Sequence, residues 1–323
     1  MRIVFMGTPD FASGVLRYII ANNHDVVAVV TVPDKPSGRG QKITSSAVKN
    51  VALENNIPVL QPMKLKNPDF LEELAAFDAD VFVVVAFRML PKQVWNMPAK
   101  GTFNLHASLL PQFRGAAPIN HAIISGETKT GVTTFFINEE IDTGDIIDAV
   151  EVPIDPKDDA GSLHDKLMTV GAELVHTTLL SIQKGNVPRK SQIIPEDGVL
   201  KPAPKIFKEL CRIDFSKNGV ELENFVRGLS PYPAAFCELV NNSQKSIYLK
   251  IFRVKTQKTE DEIPLGTVWS DSVNVLKIRC LDSWIYVDDL QMLGKKRMSI
   301  DAFLRGFRDI TNFGHVCNPH CVV

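Results

Sequence analysis

The first part of the chain alternates short apolar runs with segments of helical periodicity. The apolar runs cover residues 3–6, 26–31, 81–86, 102–105 and 132–137. Strands that alternate with helices in this way are typical of a mainly parallel sheet with helices on both faces. The pattern therefore predicts an α/β, Rossmann-like domain whose ligand crevice lies at the carboxyl ends of the strands.

A long amphipathic helix and a proline-rich segment follow this part of the chain. Residues 162–183 place apolar side chains on one stripe, with Ser162 as the predicted N-cap and Gly185 beyond the end. Residues 186–204 contain four prolines and mixed charges, a composition typical of a linker.

Beyond this linker the pattern changes to short alternating strands. One helix is predicted at residues 217–229, capped by Ser216. The strands are predicted at residues 236–240, 246–255, 266–269, 275–281 and 283–287. Several short strands joined by turns predict a smaller β-barrel of the OB-like kind. The predicted domains are therefore 1–185 and 205–323, with 186–204 between them.

Length and composition agree with two globular domains. The chain has 323 residues, of which 45% are apolar and 23% are charged. Its longest apolar run, residues 81–87, fits one buried strand and falls well short of the roughly 20 residues of a membrane helix. The amino terminus passes directly into a strand and lacks the features of a signal peptide. A cytoplasmic protein is predicted.

The cysteines and the charge distribution refine this picture. The five cysteines are irregularly spaced, which predicts reduced thiols. Residues 315–321 contain His and Cys but no second ligand pair at a zinc-ribbon distance, so we predict a mobile terminal segment and no metal. From Lys205 onward there are 17 Lys and Arg against 14 Asp and Glu, and 19 against 23 before it. This excess weakly favours a nucleic-acid partner and also fits an ordinary solvated surface.

The turn after the first strand argues against a dinucleotide enzyme. The segment GTPDF at residues 7–11 opens a helix but lacks the second and third glycines of the dinucleotide-binding fingerprint. Without them a pyrophosphate cannot approach the backbone in the usual way. A nicotinamide or flavin enzyme is therefore disfavoured.

The candidate chemistry lies at the end of a predicted strand. Alternation puts Asn104 and His106 on one face, while Leu105 points into the opposite layer. An acid is expected from the turn at residues 141–145, where either Asp142 or Asp145 could serve. An amide, an imidazole and a carboxylate suit formyl or acyl transfer, because they can stabilise an oxyanion and move a proton. A hydrogen-bonded strand-end pair beside an ordinary turn is the structural alternative.

Three segments identify a family. They are FNLHASLLP at residues 103–111, RGAAPI at 114–119 and IDTGD at 141–145. These segments closely resemble the methionyl-tRNA formyltransferase family, a branch of the folate-dependent formyltransferases. The similarity runs nearly end to end, from MGTPDF at 6–11 to GKKRM at 294–298.

The resemblance implies a reaction and assigns residues to it. The implied formyl donor is 10-formyltetrahydrofolate, and the implied acceptor is initiator methionyl-tRNA. Asn104, His106 and Asp142 take the catalytic roles, which decides between the two acids. The folate site includes Ser108, Leu109, Leu110, Pro111, Ala86, Arg88 and Leu90.

This chain departs from the family's pattern after the central strand. Members usually carry a glycine-bearing segment there, whose backbone contacts the pterin ring. The corresponding segment here, VAFRMLP at residues 85–91, is one residue shorter and contains Arg88.

The resemblance also assigns contacts with the tRNA. RGAAPI, the second domain and the insertion PDKPSGRGQK at residues 33–42 point to a tRNA substrate. The insertion resembles the loop that enters the acceptor stem, with Arg39 the principal contact. Lys35 and Lys42 can neutralise phosphates beside it. A mobile polar loop is the alternative interpretation of this segment.

Two other functions fit part of the pattern. One is a related formyltransferase that acts on a sugar nucleotide or a purine intermediate, since the wider group shares the Asn-x-His and the Asp. The other is an RNA-binding protein with an inert transferase domain. A second domain with excess basic residues argues against the first, and the presence of all three polar side chains argues against the second.

Overall fold

The computed structural model describes residues 1–37, 42–194, 198–241 and 243–316. Contacts divide the chain into two compact units. The first contains residues 1–118, 129–153 and 164–203, and the second contains residues 119–128, 154–163 and 204–323.

A seven-stranded sheet forms the centre of the first unit. Its strands are β1 (Arg2–Gly7), β2 (Asp25–Val30), β5 (Val59–Leu60), β6 (Val81–Val85), β7 (Thr102–His106), β8 (Lys129–Phe136) and β9 (Ile146–Pro153). The hairpin of β3 (Lys35–Ser37) and β4 (Lys42–Thr44) stands apart from it. The strand order is β5-β2-β1-β6-β7-β8-β9, parallel as far as β7 and antiparallel for the last two pairs. The predicted mainly parallel sheet is confirmed.

Helices cover both faces of this sheet. In chain order they are α1 (Asp10–Ala21), α2 (Ala47–Glu54), α3 (Pro68–Ala75), α4 (Lys92–Trp95) and α6 (Ala160–Gln183), while most of α5 (Pro118–Ile124) belongs to the second unit. On one face, Phe70 of α3 and Val94 of α4 pack in a buried cluster with Val84 of the central strand. On the other face, α6 approaches so closely that a Cβ on Gly171 would lie 2.8 Å from Leu105.

Helix α6 begins earlier than predicted. Its first residue is Ala160, and Asp159 precedes it. The backbone N of Ser162 donates to Oδ1 of Asp159 at 2.9 Å, and the backbone N of Asp159 donates to Oγ of Ser162 at 3.1 Å. This reciprocal pair is the capping-box arrangement, so the prediction of Ser162 as N-cap was wrong. A second polar residue three positions before Ser162 provides the cap.

Much of the segment predicted as a linker is hydrogen-bonded within the first unit. Lys190 and Ile146 exchange two backbone hydrogen bonds, of 2.8 and 2.9 Å. The backbone N of Ala203 donates to the carbonyl of Arg114 at 2.8 Å. Residues 164–203 accordingly belong to the first unit, and the second unit resumes at Pro204.

An antiparallel sheet that closes on itself forms the second unit. Its strands are β10 (Ala235–Val240), β11 (Ser246–Lys258), β12 (Val268–Ser270), β13 (Leu276–Arg279), β14 (Ser283–Met292), β15 (Met298–Ser299) and β16 (His315–Val316). The order is β12-β13-β14-β11-β10-β16, with β15 on β14. The first and last strands then meet, because Val268 N donates to Gly314 O and Val316 N donates to Gly266 O, both at 2.9 Å. The predicted smaller barrel is confirmed.

Further helical segments follow in the described part of this unit, in addition to α5. They are α7 (Gly219–Leu229), α8 (Ile300–Gly306), and the 3-10 helices Lys208–Cys211 and Arg308–Asn312. Asn218 caps α7, and Glu221 completes a capping box with it, so the prediction of Ser216 as the cap was wrong. Apolar side chains of α7 and α8 pack with those of the strands in one buried cluster. No helix in the described ranges is long and apolar enough to span a bilayer.

Candidate functional site

Strand β7 places two polar side chains on one face of the sheet. It lies between parallel β6 and antiparallel β8, and it ends at His106. Because Leu105 contacts α6 on the opposite face, Asn104 and His106 project away from that helix. The predicted alternation is confirmed.

His106 is buried and its ring orientation is fixed by a backbone carbonyl. Only 6% of the residue is exposed. Its Nε2 lies 2.9 Å from the carbonyl oxygen of Phe113. Since a carbonyl can only accept, Nε2 carries the hydrogen. The other ring nitrogen, Nδ1, lies 3.7 Å from Oδ2 of Asp142.

The turn between β8 and β9 presents Asp142. The backbone N of Gly115 donates to Oδ2 of Asp142 at 2.9 Å, which orients the carboxylate. Asp142 itself has a φ of 54°, in the left-handed region. Asp145, the other acid in this turn, instead accepts a hydrogen bond from Oγ of Ser191 at 3.2 Å. Of the two acids that spacing leaves open, Asp142 is the one against His106.

Asn104 has an amide that is available to a ligand. The residue is half-buried, whereas its neighbours on both sides along β7 are buried. Within the described ranges, its side chain forms no hydrogen bond. A partly desolvated amide without a partner loses hydrogen-bonding energy that a bound oxygen can restore. The face of β7 therefore presents a free amide two residues from the His106–Asp142 pair.

The segment after β7 is held by Thr133. Oγ1 of Thr133 donates to Ser108 O at 2.7 Å and accepts from Leu110 N at 3.3 Å. The hydroxyl of Ser108 donates to Gln112 O at 2.7 Å. Ser108 and Leu110 are thus buried and internally bonded, whereas Leu109 is half-buried. Thr133 was not anticipated from the sequence.

The remaining residues assigned to the folate differ in exposure. Pro111 is half-buried, Leu90 is buried and Ala86 is exposed with a φ of 46°. Arg88 is half-buried and donates to the carbonyl of Pro62 and, at 3.2 Å, to that of Met63. Burial lowers the pKa of Arg88 from its ordinary value. Its guanidinium therefore fixes the segment after β6 to the segment after β5.

The insertion that the resemblance assigns to the tRNA contains β3 and the start of its paired strand β4, and hydrogen bonds hold the residue that precedes β3. Lys35 lies in β3 and is exposed, and Lys42 lies in β4, whereas Arg39 is outside the described residues. At the base, Lys49 donates to Asp34 at 2.6 Å, a hydrogen bond that lowers the pKa of Asp34. Gln61 donates to the same carboxylate at 2.9 Å.

One contact of the turn at residues 141–145 had no signal in the sequence. The side-chain amide of Gln192 donates to the carbonyl oxygens of Asp142 and Gly144, at 2.8 and 2.9 Å. Gln192 lies 50 positions from Asp142 along the chain, inside the segment predicted as a linker. Spacing alone could not connect them.

The terminal cluster predicted to be metal-free falls mostly beyond the described part. His315 is an exposed residue of β16, while Cys317, His320 and Cys321 lie outside the described residues. Among the described residues no group of three or more His, Cys, Asp or Glu is arranged to hold a metal ion.

Sequence comparisons place both units in one family. The family model described as formyl transferase matches residues 1–179, and that described as formyl transferase, C-terminal domain, matches residues 205–308. The methionyl-tRNA formyltransferase of Bacteroides thetaiotaomicron is 51% identical over 309 residues, which cover 95% of this chain and 96% of that protein. The protein of the same name from Flavobacterium johnsoniae is 52% identical over 306 residues, covering 95% and 96%.

Solved structures share the fold at lower identity. The N-formyltransferase from Helicobacter canadensis, in complex with folinic acid and dTDP-3-aminofucose, has a TM-score of 0.62 and 21% identity, covering 90% of this chain and 98% of that one. HypX from Aquifex aeolicus, in complex with tetrahydrofolic acid, has a TM-score of 0.62 and 18% identity, covering 94% of this chain and 47% of that one.

Proposed function

We propose that this protein catalyses the reaction of the methionyl-tRNA formyltransferases. The chain belongs to the formyl transferase family and is about half identical to those enzymes along nearly its whole length. It transfers the formyl group of 10-formyltetrahydrofolate to the amino group of initiator methionyl-tRNA. The product, N-formylmethionyl-tRNA, serves translation initiation, which places the activity in the cytoplasm.

The observation that carries the proposal is the set of polar groups at the end of β7. A half-buried amide without a partner among the described residues lies on the same strand face as an imidazole, whose Nδ1 is 3.7 Å from a carboxylate. Oxyanion stabilisation and proton transfer need groups of these types near each other. The arrangement favours formyl transfer over an inert binding role.

Each of the three side chains has a role in this reaction. The folate supplies a formyl carbon bound to a nitrogen that can leave. Asn104 donates a hydrogen bond to the formyl oxygen as negative charge develops there, a contact typically worth about 3–4 kcal/mol of barrier. Asp142 and Nδ1 of His106 accept the proton that the attacking amine releases and deliver one to the leaving nitrogen. The carbonyl of Phe113 occupies Nε2, so Nδ1 is the nitrogen that faces the reaction.

The structure limits how the assigned folate residues can bind. Ser108 and Leu110 use their hydroxyl and backbone N–H internally, so Leu109 and Pro111 supply the more accessible surface of that segment. Arg88 acts by holding its segment in place, because its guanidinium donates to the carbonyls of residues 62 and 63. We assign the pterin contacts to the backbone that these bonds fix.

The tRNA is assigned to the hairpin and to the second unit. Lys35, Arg39 and Lys42 are the proposed hairpin contacts, and the basic excess from residue 205 onward suits a polyanion. A substrate of small size, such as a sugar nucleotide, does not need either feature. The structural relatives that act on sugars share the fold at 18–22% identity, whereas the relatives named for the tRNA reaction are near 50%.

A direct assay tests the function. The protein is incubated with labelled 10-formyltetrahydrofolate and either charged initiator tRNA or an amino-sugar nucleotide, and the formylated product is quantified. We expect label on the methionyl amino group and none on the sugar. Transfer to the sugar alone would replace this proposal with the sugar-nucleotide reaction, and transfer to neither acceptor would overturn formyl transfer.

Substitutions test the site separately. Asn104→Ala and Asp142→Asn are each expected to lower kcat by roughly 100-fold or more while tRNA affinity changes little. Asp145→Asn is the matched control, because Asp145 lies in the same turn but contacts Ser191, and it should keep near-normal turnover. Full activity in Asp142→Asn, or a loss confined to Asp145→Asn, would contradict the assignment.

A further inference from the structure

Gln192 joins the two ends of the turn that carries Asp142. Its Nε2 donates to Asp142 O at 2.8 Å and to Gly144 O at 2.9 Å. An amide nitrogen has two hydrogens, so both are used, one on each of the carbonyls that flank Thr143. Gln192 is half-buried, and these bonds therefore form partly away from water.

Arg114 fixes the orientation of this amide. Its Nε and an Nη atom donate to Oε1 of Gln192 at 3.1 and 2.6 Å. A guanidinium only donates and a carbonyl only accepts, so the amide cannot be reversed without losing all four hydrogen bonds. Residues 114 and 115 thus contact Asp142 by two routes, through Gln192 to its backbone and through Gly115 N to its carboxylate.

Asp142 needs such support because of its backbone conformation. Its φ of 54° lies in the left-handed region, which residues with a Cβ adopt uncommonly. A residue held there persists only when its surroundings determine the conformation. Here the carbonyl bond from Gln192 supports that conformation, while the Gly115 N–H orients the side chain.

We infer that Gln192 is a positioning residue for Asp142 and that Arg114 acts through Gln192. This inference rests on the proposed role of Asp142 in formyl transfer. Removing the Gln192 donors lets the turn relax and moves the carboxylate away from His106. A misplacement of about 1 Å near reacting groups can cost about 100-fold in rate, so we expect a loss of about 10- to 100-fold.

Two substitutions at residue 192 test the inference. Gln192→Ala removes the amide, and Gln192→Glu keeps its size while replacing the two donors with a carboxylate oxygen. We expect both to lower kcat by about 10- to 100-fold with the KM for donor and tRNA within about threefold. Ser191→Ala is the control, since Ser191 is the adjacent residue but contacts Asp145, and it should match the wild type. Circular dichroism and thermal unfolding confirm that each variant is folded.

The double variant Arg114→Ala with Gln192→Ala tests the route. If Arg114 acts through Gln192, the double variant is no slower than Gln192→Ala alone, because residues in one network are not additive. Wild-type kcat in both Gln192 variants overturns the inference. A double variant that is slower than Gln192→Ala overturns the role of Arg114. Asp142→Asn is measured in parallel. Its inactivity with normal Gln192 variants refutes only this inference, whereas an active Asp142→Asn refutes the proposed site.

Discussion

The Nε2 atom of His106 donates to the carbonyl oxygen of Phe113 at 2.9 Å, and this bond leaves Nδ1 facing Asp142. The two residues are seven positions apart, so the segment that follows β7 turns back and holds the ring of His106, the last residue of β7. Which nitrogen is open to the proposed chemistry is thus decided by the backbone. The imidazole has a structural bond to Phe113 through Nε2 and a proposed role in proton transfer through Nδ1, and the two can be separated.

Two substitutions of His106 separate these tasks. Gln can place its side-chain nitrogen near the Nε2 position and keep the bond to Phe113, whereas Asn reaches only to the Nδ1 position. We expect the free energy of unfolding of His106→Gln to stay within about 1 kcal/mol of the wild type, while turnover is lost. The free energy of unfolding of His106→Asn should be lower by about 1–3 kcal/mol, because this variant leaves a buried carbonyl unpaired. Chemical denaturation and turnover are measured together, and equal stabilities would show that the Phe113 bond is unimportant.

Gly144 is a position where a side chain cannot be tolerated. A Cβ there would lie 1.7 Å from the carbonyl oxygen of Phe136, in backbone that cannot swing away. We expect Gly144→Ala to lower the free energy of unfolding by about 2–4 kcal/mol and to lower turnover by moving Asp142. Gly306→Ala is the control, since nothing lies within 4 Å of a Cβ there, and its unfolding free energy should stay within about 1 kcal/mol. A Gly144→Ala protein with normal stability and turnover would contradict the described turn.

The base of the hairpin offers a test of the proposed tRNA contact. Asp34→Asn removes the charge that Lys49 contacts at 2.6 Å and should loosen the hairpin that carries Lys35. We expect the KM for methionyl-tRNA to rise roughly two- to tenfold, with the KM for the folate donor unchanged. Glu54→Gln serves for comparison, because it breaks the exposed Arg17–Glu54 ion pair at the end of α2, the helix that contains Lys49. An equal effect on both substrates would place the cause in general stability.

The lowered pKa of His24 should make stability depend on pH. Ring nitrogens of His24 and His176 are 2.8 Å apart, and burial together with the charge of His176 lowers the pKa of His24 from its ordinary 6.5. A lowered pKa means that the unfolded chain binds the proton more readily than the folded protein. The free energy of unfolding therefore rises with pH between the folded pKa and about 6.5, and stability is lost as the pH falls through that window.

Denaturation at several pH values tests this effect. Replacing His24 by Gln should reduce the difference between the unfolding free energies at acidic and neutral pH. His315→Gln, at an exposed position, should leave that difference as in the wild type. An unchanged difference in His24→Gln would assign the acid sensitivity to other groups.

Local patterns in the sequence determined much of the fold. Alternation along single strands and the periodicity of single helices depend on neighbouring residues, so nearly every predicted strand of both units is present within a few residues. For the same reason the common face of Asn104 and His106 followed from their spacing. Helix starts were less accurate, because several polar residues near Ser162 and Ser216 could each have capped the helix.

Tertiary structure decided the relationships between distant segments. The reversed direction of β8, which makes its pairs with β7 and β9 antiparallel, and the closure of the barrel depend on which strands pair. Apolar runs do not specify that. The contact of Asp142 with His106, and that of Gln192 with Asp142, join residues 36 and 50 positions apart. Each depends on a few hydrogen bonds made after the chain has folded back on itself. The sequence therefore determined which groups the site contains, while folding alone determined which of them touch.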